Sequence, residues 1–406
     1  MRRRDIAARL VALLLVAGAL PAQRPAGDSL VVRAFDLEDS RPAEAFVLYT
    51  RAFTGETLVP ALLGLERLHH ARGTVDSLVP VTAAAVRQRP LDGVVRAVQF
   101  RTLTMLRRED ALRAAFVEWV RLAPGEPGPF KEYARALLDL GQPTAADSVL
   151  DIAGRALRDP RDFTAELAQV AVAAGRWGDA GRRWRTALTV EPTLAAAAVA
   201  TLTAAPVAAR DTIRNAMAGT PPVTAARRAL AELELAWGTP RRGWAVLADL
   251  APSEETAAAW RGFAEAAEER QAPLVARDAW AAIARWRRDP EVALRAATAA
   301  LDGGDAAGAL PFTATAQALL APGLALRDAV PLRLRALAAL GRAADAAALV
   351  DSVRPGLAPV QLRVLESQLG WAFLRVGDVV RARPLVARMD DDEATALLAA
   401  YEGDFA

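Results

Sequence analysis

The sequence predicts an all-α solenoid of about ten helical hairpins closed by a C-terminal capping helix. Spacing carries the prediction first. Gly73, Arg107, Gly141 and Gly175 stand 34 residues apart in turn, Pro90 and Pro124 repeat that interval, and Pro192 rejoins it two periods later. Such an interval, with small residues at fixed places, is the period of a helix–turn–helix repeat. Composition agrees: the chain is 53% hydrophobic but only 6% aromatic, which suits helices packed closely through alanine better than a sheet rich in Val, Ile and Tyr.

Residues 1–22 read as a signal peptide. Arg2, Arg3, Arg4 and Arg9 give a basic start, Leu10 to Leu20 is apolar, and small residues at Ala19 and Ala22 offer cleavage positions. The apolar run of 11 residues is shorter than the roughly 20 that a spanning helix needs. Removing the segment takes away four arginines and Asp5, moving the formal charge from +2 to −1. A near-neutral mature chain lacks the positive field of a nucleic-acid binder. With no cysteine, an exported form carries neither disulfides nor a cysteine-linked lipid, and no later segment is apolar enough to insert in a membrane.

Residues 23–31 read as a linker and 32–402 as the solenoid. A helix starting near Pro42, with Ala45, Phe46, Tyr49 and Ala52 at helical spacing, reads as an incomplete first repeat. Helices ending near Gly73 and before Pro90 make the next unit, and one beginning near Asp92 turns at Arg107 and closes at Pro124. The segment 193–222 departs from the pattern. It has neither the glycine turn nor the aromatics, and reads as a degenerate hairpin over 193–205 and 207–219, with a hinge as the alternative. The register resumes at Gly238 and continues through Gly304, Gly341 and Gly377. From Asp390 to residue 402 one more helix caps the array, with acidic residues at its start where the helix dipole favours them.

The unit around Gly175 contains Leu167, Ala168, Gly175, Arg176, Trp177, Ala180, Trp184, Ala187 and Pro192. The one around Gly141 contains Phe130, Tyr133, Ala134, Ala146 and Ala153, and a later one Trp260, Phe263, Ala264, Ala276 and Trp280. In these residues the chain resembles the tetratricopeptide repeat (TPR) family. The resemblance implies a right-handed superhelix in which first helices line a concave groove, and a role in assembly or scaffolding.

Arg67, Arg101 and Arg135 recur at the 34-residue interval in successive first helices, and Gln169 continues the row. Lys131, the only lysine, lies one turn before Arg135. In the resembled family this position looks into the groove. A row of cations there would suit an acidic segment or a C-terminal carboxylate. Trp371 falls toward the same inner face, whereas Trp184, Trp260 and Trp280 fall on core positions. Farther along, Glu232 and Glu265 follow Arg228 and Arg261 by four residues, a spacing that lets each pair neutralise itself.

No metal, cofactor or catalytic motif emerges. His69 and His70, the only histidines, are adjacent on a helix and point about 100° apart, so they cannot chelate one ion together. Asp390 to Glu393 lacks the alternating spacing and glycine of a calcium loop and reads as a helix start. The expected function is a non-catalytic scaffold of the cell envelope, in the periplasm or outside the cell, holding a protein or peptide segment in its groove. The alternative is a helical-repeat protein acting on cell-wall glycan, as an α/α-toroid or a lytic transglycosylase would. A toroid glycosidase needs two inward carboxylates at catalytic separation, and no isolated pair stands out.

Overall fold

The computed structural model describes residues 26–157 and 163–403; the signal peptide expected over 1–22 lies outside them. Every regular element among the described residues is a helix. The chain divides into two compact units, Met1–Gly175 and Arg176–Ala406. The division falls at Gly175, inside the stretch whose sequence is most repeat-like. The segment 193–222 lies wholly inside the second unit.

The first unit holds four hairpins and one further helix. The hairpins pair Ala26–Leu37 with Pro42–Arg51, Leu58–Ala71 with Leu78–Gln88, Gly93–Met105 with Glu109–Leu122, and Gly128–Asp139 with Pro143–Ala156; Thr164–Ala173 follows. The first pair corrects the sequence expectation. Residues 26–31, read as linker, begin a helix, so the first repeat is complete. The polar and charged positions of that helix hid its apolar contacts, in which Ala34 is fully buried with Leu30 and Val31 against Ala45 and Leu48.

Small residues sit where helices cross. Ala45, Ala61, Ala85, Ala146, Ala153 and Ala168 are all 0% exposed. The tightest crossing is at Gly64, where a Cβ would fall 2.3 Å from Cζ of the Tyr49 ring. Tyr49 is itself 1% exposed and bonded through its hydroxyl to Glu38, so it cannot swing away. Gly64→Ala is expected to destabilise the first unit by about 1–3 kcal/mol through overpacking. A thermal melt of the variant within a degree of the parent would contradict this.

The second unit begins with Trp177–Val190. Ala195–Leu202 and Val207–Met217 follow, the first packed on Thr224–Ala236 and the second on Trp177–Val190. Hairpins then pair Thr224–Ala236 with Pro240–Ala248, Glu254–Glu269 with Pro273–Arg287, Pro290–Asp302 with Ala306–Leu319, Val330–Ala339 with Ala343–Val353, and Pro359–Arg375 with Val379–Val386. Asp392–Glu402 ends the described chain. A π-turn at Ala325–Ala329 leads into Val330–Ala339.

Aromatic residues fill the gaps between these hairpins. Trp260, Phe263, Trp280 and Ile283 form one buried cluster with Val292 and Leu247. Burying each such side chain stabilises by roughly 2–3 kcal/mol. Their polar atoms are accommodated too: Trp260 Nε1–H donates to Leu247 O at 2.9 Å and Trp280 Nε1–H to Glu268 Oε1 at 2.7 Å. The final helix starts on Asp391, whose Oδ1 accepts from Ala394 N at 3.0 Å. That backbone donor, together with Trp371, holds the Asp391 carboxyl below its usual range.

Candidate functional site

In the first unit the expected cations are all present on first helices, but each meets a carboxylate. Arg67 grips Glu38 with two bonds, Nε to Oε2 at 3.0 Å and Nη2 to Oε1 at 2.6 Å. Tyr49 also donates its hydroxyl to that carboxylate. The Arg67 bonds hold the Glu38 carboxyl below its usual range, while burial and Glu38 push the Tyr49 phenol up to about 12. Arg101 clamps Glu66 at 2.9 and 2.8 Å, Arg135 bonds Glu132 at 2.8 Å, and Lys131 lies 3.2 Å from Glu166 with its ammonium over the Phe163 ring.

The basic row expected from the sequence is therefore a neutral ladder. Four cations alternate with four carboxylates, and the carboxylates are the more buried partners. Leu58–Ala71 shows how it is built: Arg67 reaches back to Glu38 and its neighbour Glu66 is reached by Arg101 from the next repeat. Gln169, half-buried on Thr164–Ala173, is the neutral end of the row.

The second unit presents a different surface. Pro290–Asp302, Val330–Ala339 and Pro359–Arg375, with the start of Asp392–Glu402, enclose an open hollow of about 530 Å³. Its floor is Leu301, Ala338 and Ala339, and its walls are Arg335, Gln368, Trp371, Arg375 and Glu393. Trp371 is half-buried and fixed in place, since its Nε1–H donates to Asp391 Oδ2 at 3.0 Å. Arg335 is held loosely, 3.8 Å from Asp302. Gln368 Oε1 is buried without a hydrogen-bond partner among the described residues. Arg375 is exposed and pairs with no carboxylate among them.

A second hollow of about 450 Å³ beside Asp391 is lined by Val364, Leu385 and Met389 among charged residues that include Arg363, Glu366 and Arg388. Gln368 borders both. The sequence reading found Trp371 but missed its companions. The signal was available, because Gln368, Trp371 and Arg375 lie three and seven residues along one helix and so share a face.

The remaining candidates settle as structural. Trp184, Trp260 and Trp280 are 0%, 3% and 1% exposed. His69 is buried, its Nδ1 is 2.9 Å from Thr74 Oγ1, and burial pushes its pKa down. Arg228 stands 3.8 Å from Glu232, as the spacing predicted, and burial raises the Glu232 carboxyl. Arg261 instead lies over the Trp280 ring. Among the described residues no group of three or more acidic or histidine side chains could hold a metal ion. None of their helices is long and apolar enough to cross a membrane.

No family model matches the chain and no curated protein matches its sequence. Solved structures similar to it include a tetratricopeptide repeat protein from Parabacteroides merdae, at 10% identity and TM-score 0.31 over 66% of this chain and 95% of that one. Yeast Tom70 is similar at 11% identity and TM-score 0.28 over 93% and 95%. The Cut9–Hcn1 tetramer of the APC/C is similar at 9% identity and TM-score 0.25 over 93% and 96%. The fold is tetratricopeptide-like. That description rests on this chain's own helices: turn residues 34 apart from Gly73 to Gly175 and 33 to 37 apart from Gly238 to Gly377, their left-handed conformation, and fully buried alanines on the helices they join.

Proposed function

We propose that the protein is a non-catalytic scaffold that holds a protein or peptide segment in the Trp371 hollow of its second unit. One observation carries this reading: a tryptophan locked by its own hydrogen bond stands on the same helix face as a free guanidinium and an unsatisfied amide, at the edge of an open apolar floor. Fixed aromatic and arginine side chains around a desolvated pocket are where binding energy concentrates. Arg335 and Arg375 favour an acidic segment or a terminal carboxylate. A signal peptide over residues 1–22, as their basic start and apolar run lead one to expect, would carry the protein to the periplasm or beyond the cell, with a role at the envelope.

Selection of phage-displayed dodecapeptides on the full chain tests the proposal. Enriched peptides should bind the parent protein and lose about tenfold or more in affinity with Arg375→Glu or Trp371→Ala, the loss of roughly 1.4 kcal/mol or more that one hot-spot contact represents. Enriched peptides that bind Arg375→Glu and Trp371→Ala as tightly as the parent would overturn it. Release of soluble sugar from peptidoglycan by the purified protein would do the same in favour of glycan chemistry.

A further inference from the structure

We propose that a hollow at the Arg107 turn of the first unit is a second recognition site, for a peptide segment that pairs an acidic side chain with an apolar neighbour. The inference stands apart from the Trp371 reading, because it uses other residues in the other unit.

It begins with backbone conformation. Eight hairpin turns within the two units close through one residue with positive φ, and six of them use glycine, from Gly73 to Gly377. The other two use Arg107, at φ 52°, and Gln271, at φ 58°; outside the hairpin turns Arg288, at φ 50°, ends Pro273–Arg287. The closure is the same in both kinds of turn. Arg107 N bonds Thr104 O at 3.0 Å and Arg108 N bonds Leu103 O at 2.9 Å, as Gly141 N bonds Leu138 O and Gln142 N bonds Leu137 O. A Cβ added at Gly141 or Gly175 would meet nothing within 4 Å. Glycine is therefore favoured at this position by conformation alone, and a side chain kept there is a residue held in strain. Such residues cluster at functional sites.

Both exceptions border a cavity. Gln271 lines one of about 240 Å³ and Arg107 one of about 340 Å³. The latter is bounded by Arg101, Thr104, Met105, Asp139 and Leu140 as well. Thr104 supplies an independent observation. It is only 8% exposed, yet its Oγ1 has no hydrogen-bond partner. Threonines in these helices usually satisfy the hydroxyl on a carbonyl one turn back, as Thr102 does on Val98 O at 2.8 Å. Thr104 leaves its hydroxyl unbonded in the wall of the hollow.

The lining defines the ligand. Arg107 and Asp139 form no ion pair among the described residues, and Arg101 is already neutralised by Glu66. Arg107 thus offers a guanidinium to an incoming carboxylate, Asp139 and Thr104 can accept backbone N–H groups, and Met105 and Leu140, 55% and 38% exposed, offer an apolar rest. An acidic residue beside an apolar one in an extended segment meets all of these at once.

The test uses the full chain and an array of N-acetylated, C-amidated octapeptides carrying every residue pair at the two central positions. Pairs of Asp or Glu with an apolar residue should be retained by the parent. Arg107→Gly should lower that retention at least tenfold while raising the unfolding midpoint by about one to three degrees, because glycine relieves the strain. Thr104→Val should act the same way, since it removes a buried unsatisfied hydroxyl. Binding lost as stability rises is the opposite of what a structural role gives. Arg375→Glu should leave this retention unchanged. Retention unaffected by Arg107→Gly, retention without any preference for acidic pairs, or a lowered midpoint in both variants would each overturn the inference. Retention lost only with Arg375→Glu would overturn it while sparing the Trp371 reading.

Discussion

Replacing Glu234 with alanine is expected to destabilise the second unit by about 3–5 kcal/mol, the range for removing one partner of a buried ion pair. Glu234 lies in Thr224–Ala236 and is 1% exposed. Both its oxygens are engaged by Arg214 from Val207–Met217, Nη2 to Oε2 at 2.9 Å and Nε to Oε1, and Thr239 also donates to it. Arg214 in turn bonds Asp211 at 2.6 Å and lies over the Trp237 ring, 5.3 Å from its centroid. Arg210 lies over the same ring, and Trp237 Nε1–H donates to Thr203 O at 3.2 Å. The segment 193–222 has no aromatic residue of its own; Leu202, Ile213 and Met217 are fully buried, and this charged cluster around Trp237 adds to that packing. Alanine would strand Arg214 against Trp237 with only exposed Asp211 to balance it. Glu234→Gln keeps one carbonyl acceptor and should lose about 1–2 kcal/mol. Urea unfolding followed by circular dichroism measures both, and hydrogen exchange should rise first across residues 195–236. A loss under 1 kcal/mol for alanine would show that apolar packing alone holds the segment.

The features legible in the sequence are those that backbone geometry imposes at every repeat. A left-handed turn residue recurs because each hairpin must reverse, and Ala146 and Ala180, both 0% exposed, recur because helices cross there. The carboxylates of the ladder were not legible for the opposite reason. Arg67 meets its partner 29 residues earlier and Arg101 meets its own 35 earlier. Flexible arginine side chains reach whichever acid the neighbouring helix offers, so the pairing follows no period. Searching for one sign of charge at the 34-residue interval therefore found the cations and passed over their partners. Arg107 was visible as a member of the turn row, but its meaning depends on φ and on the hollow beside it, and neither is written in the spacing.

Reversing the charge of Arg67, Arg101 and Arg135 together is expected to destabilise the first unit by about 3–5 kcal/mol, rather than leave it folded and merely unable to bind. Each new glutamate would face Glu38, Glu66 or Glu132, whose side chains are 15%, 9% and 20% exposed. The arginines themselves are about half exposed, so solvent screening keeps each reversal well below the full penalty of a buried pair. The Arg67 contribution also carries a pH signature. Its bonds depress the Glu38 carboxyl below the ordinary 4.5, so the stabilisation is complete above that value and is lost as the pH falls beneath it. Thermal unfolding of the triple variant gives the total, and a swap isolates one rung. Arg101→Glu combined with Glu66→Arg should recover most of what either change loses alone, a coupling that only direct contact produces. A triple variant that melts with the parent would show the ladder to be mere surface charge. If it melts early, its failure to capture a partner says nothing about recognition, and recognition has to be tested at Arg375 and Arg107, whose guanidiniums hold no carboxylate among the described residues.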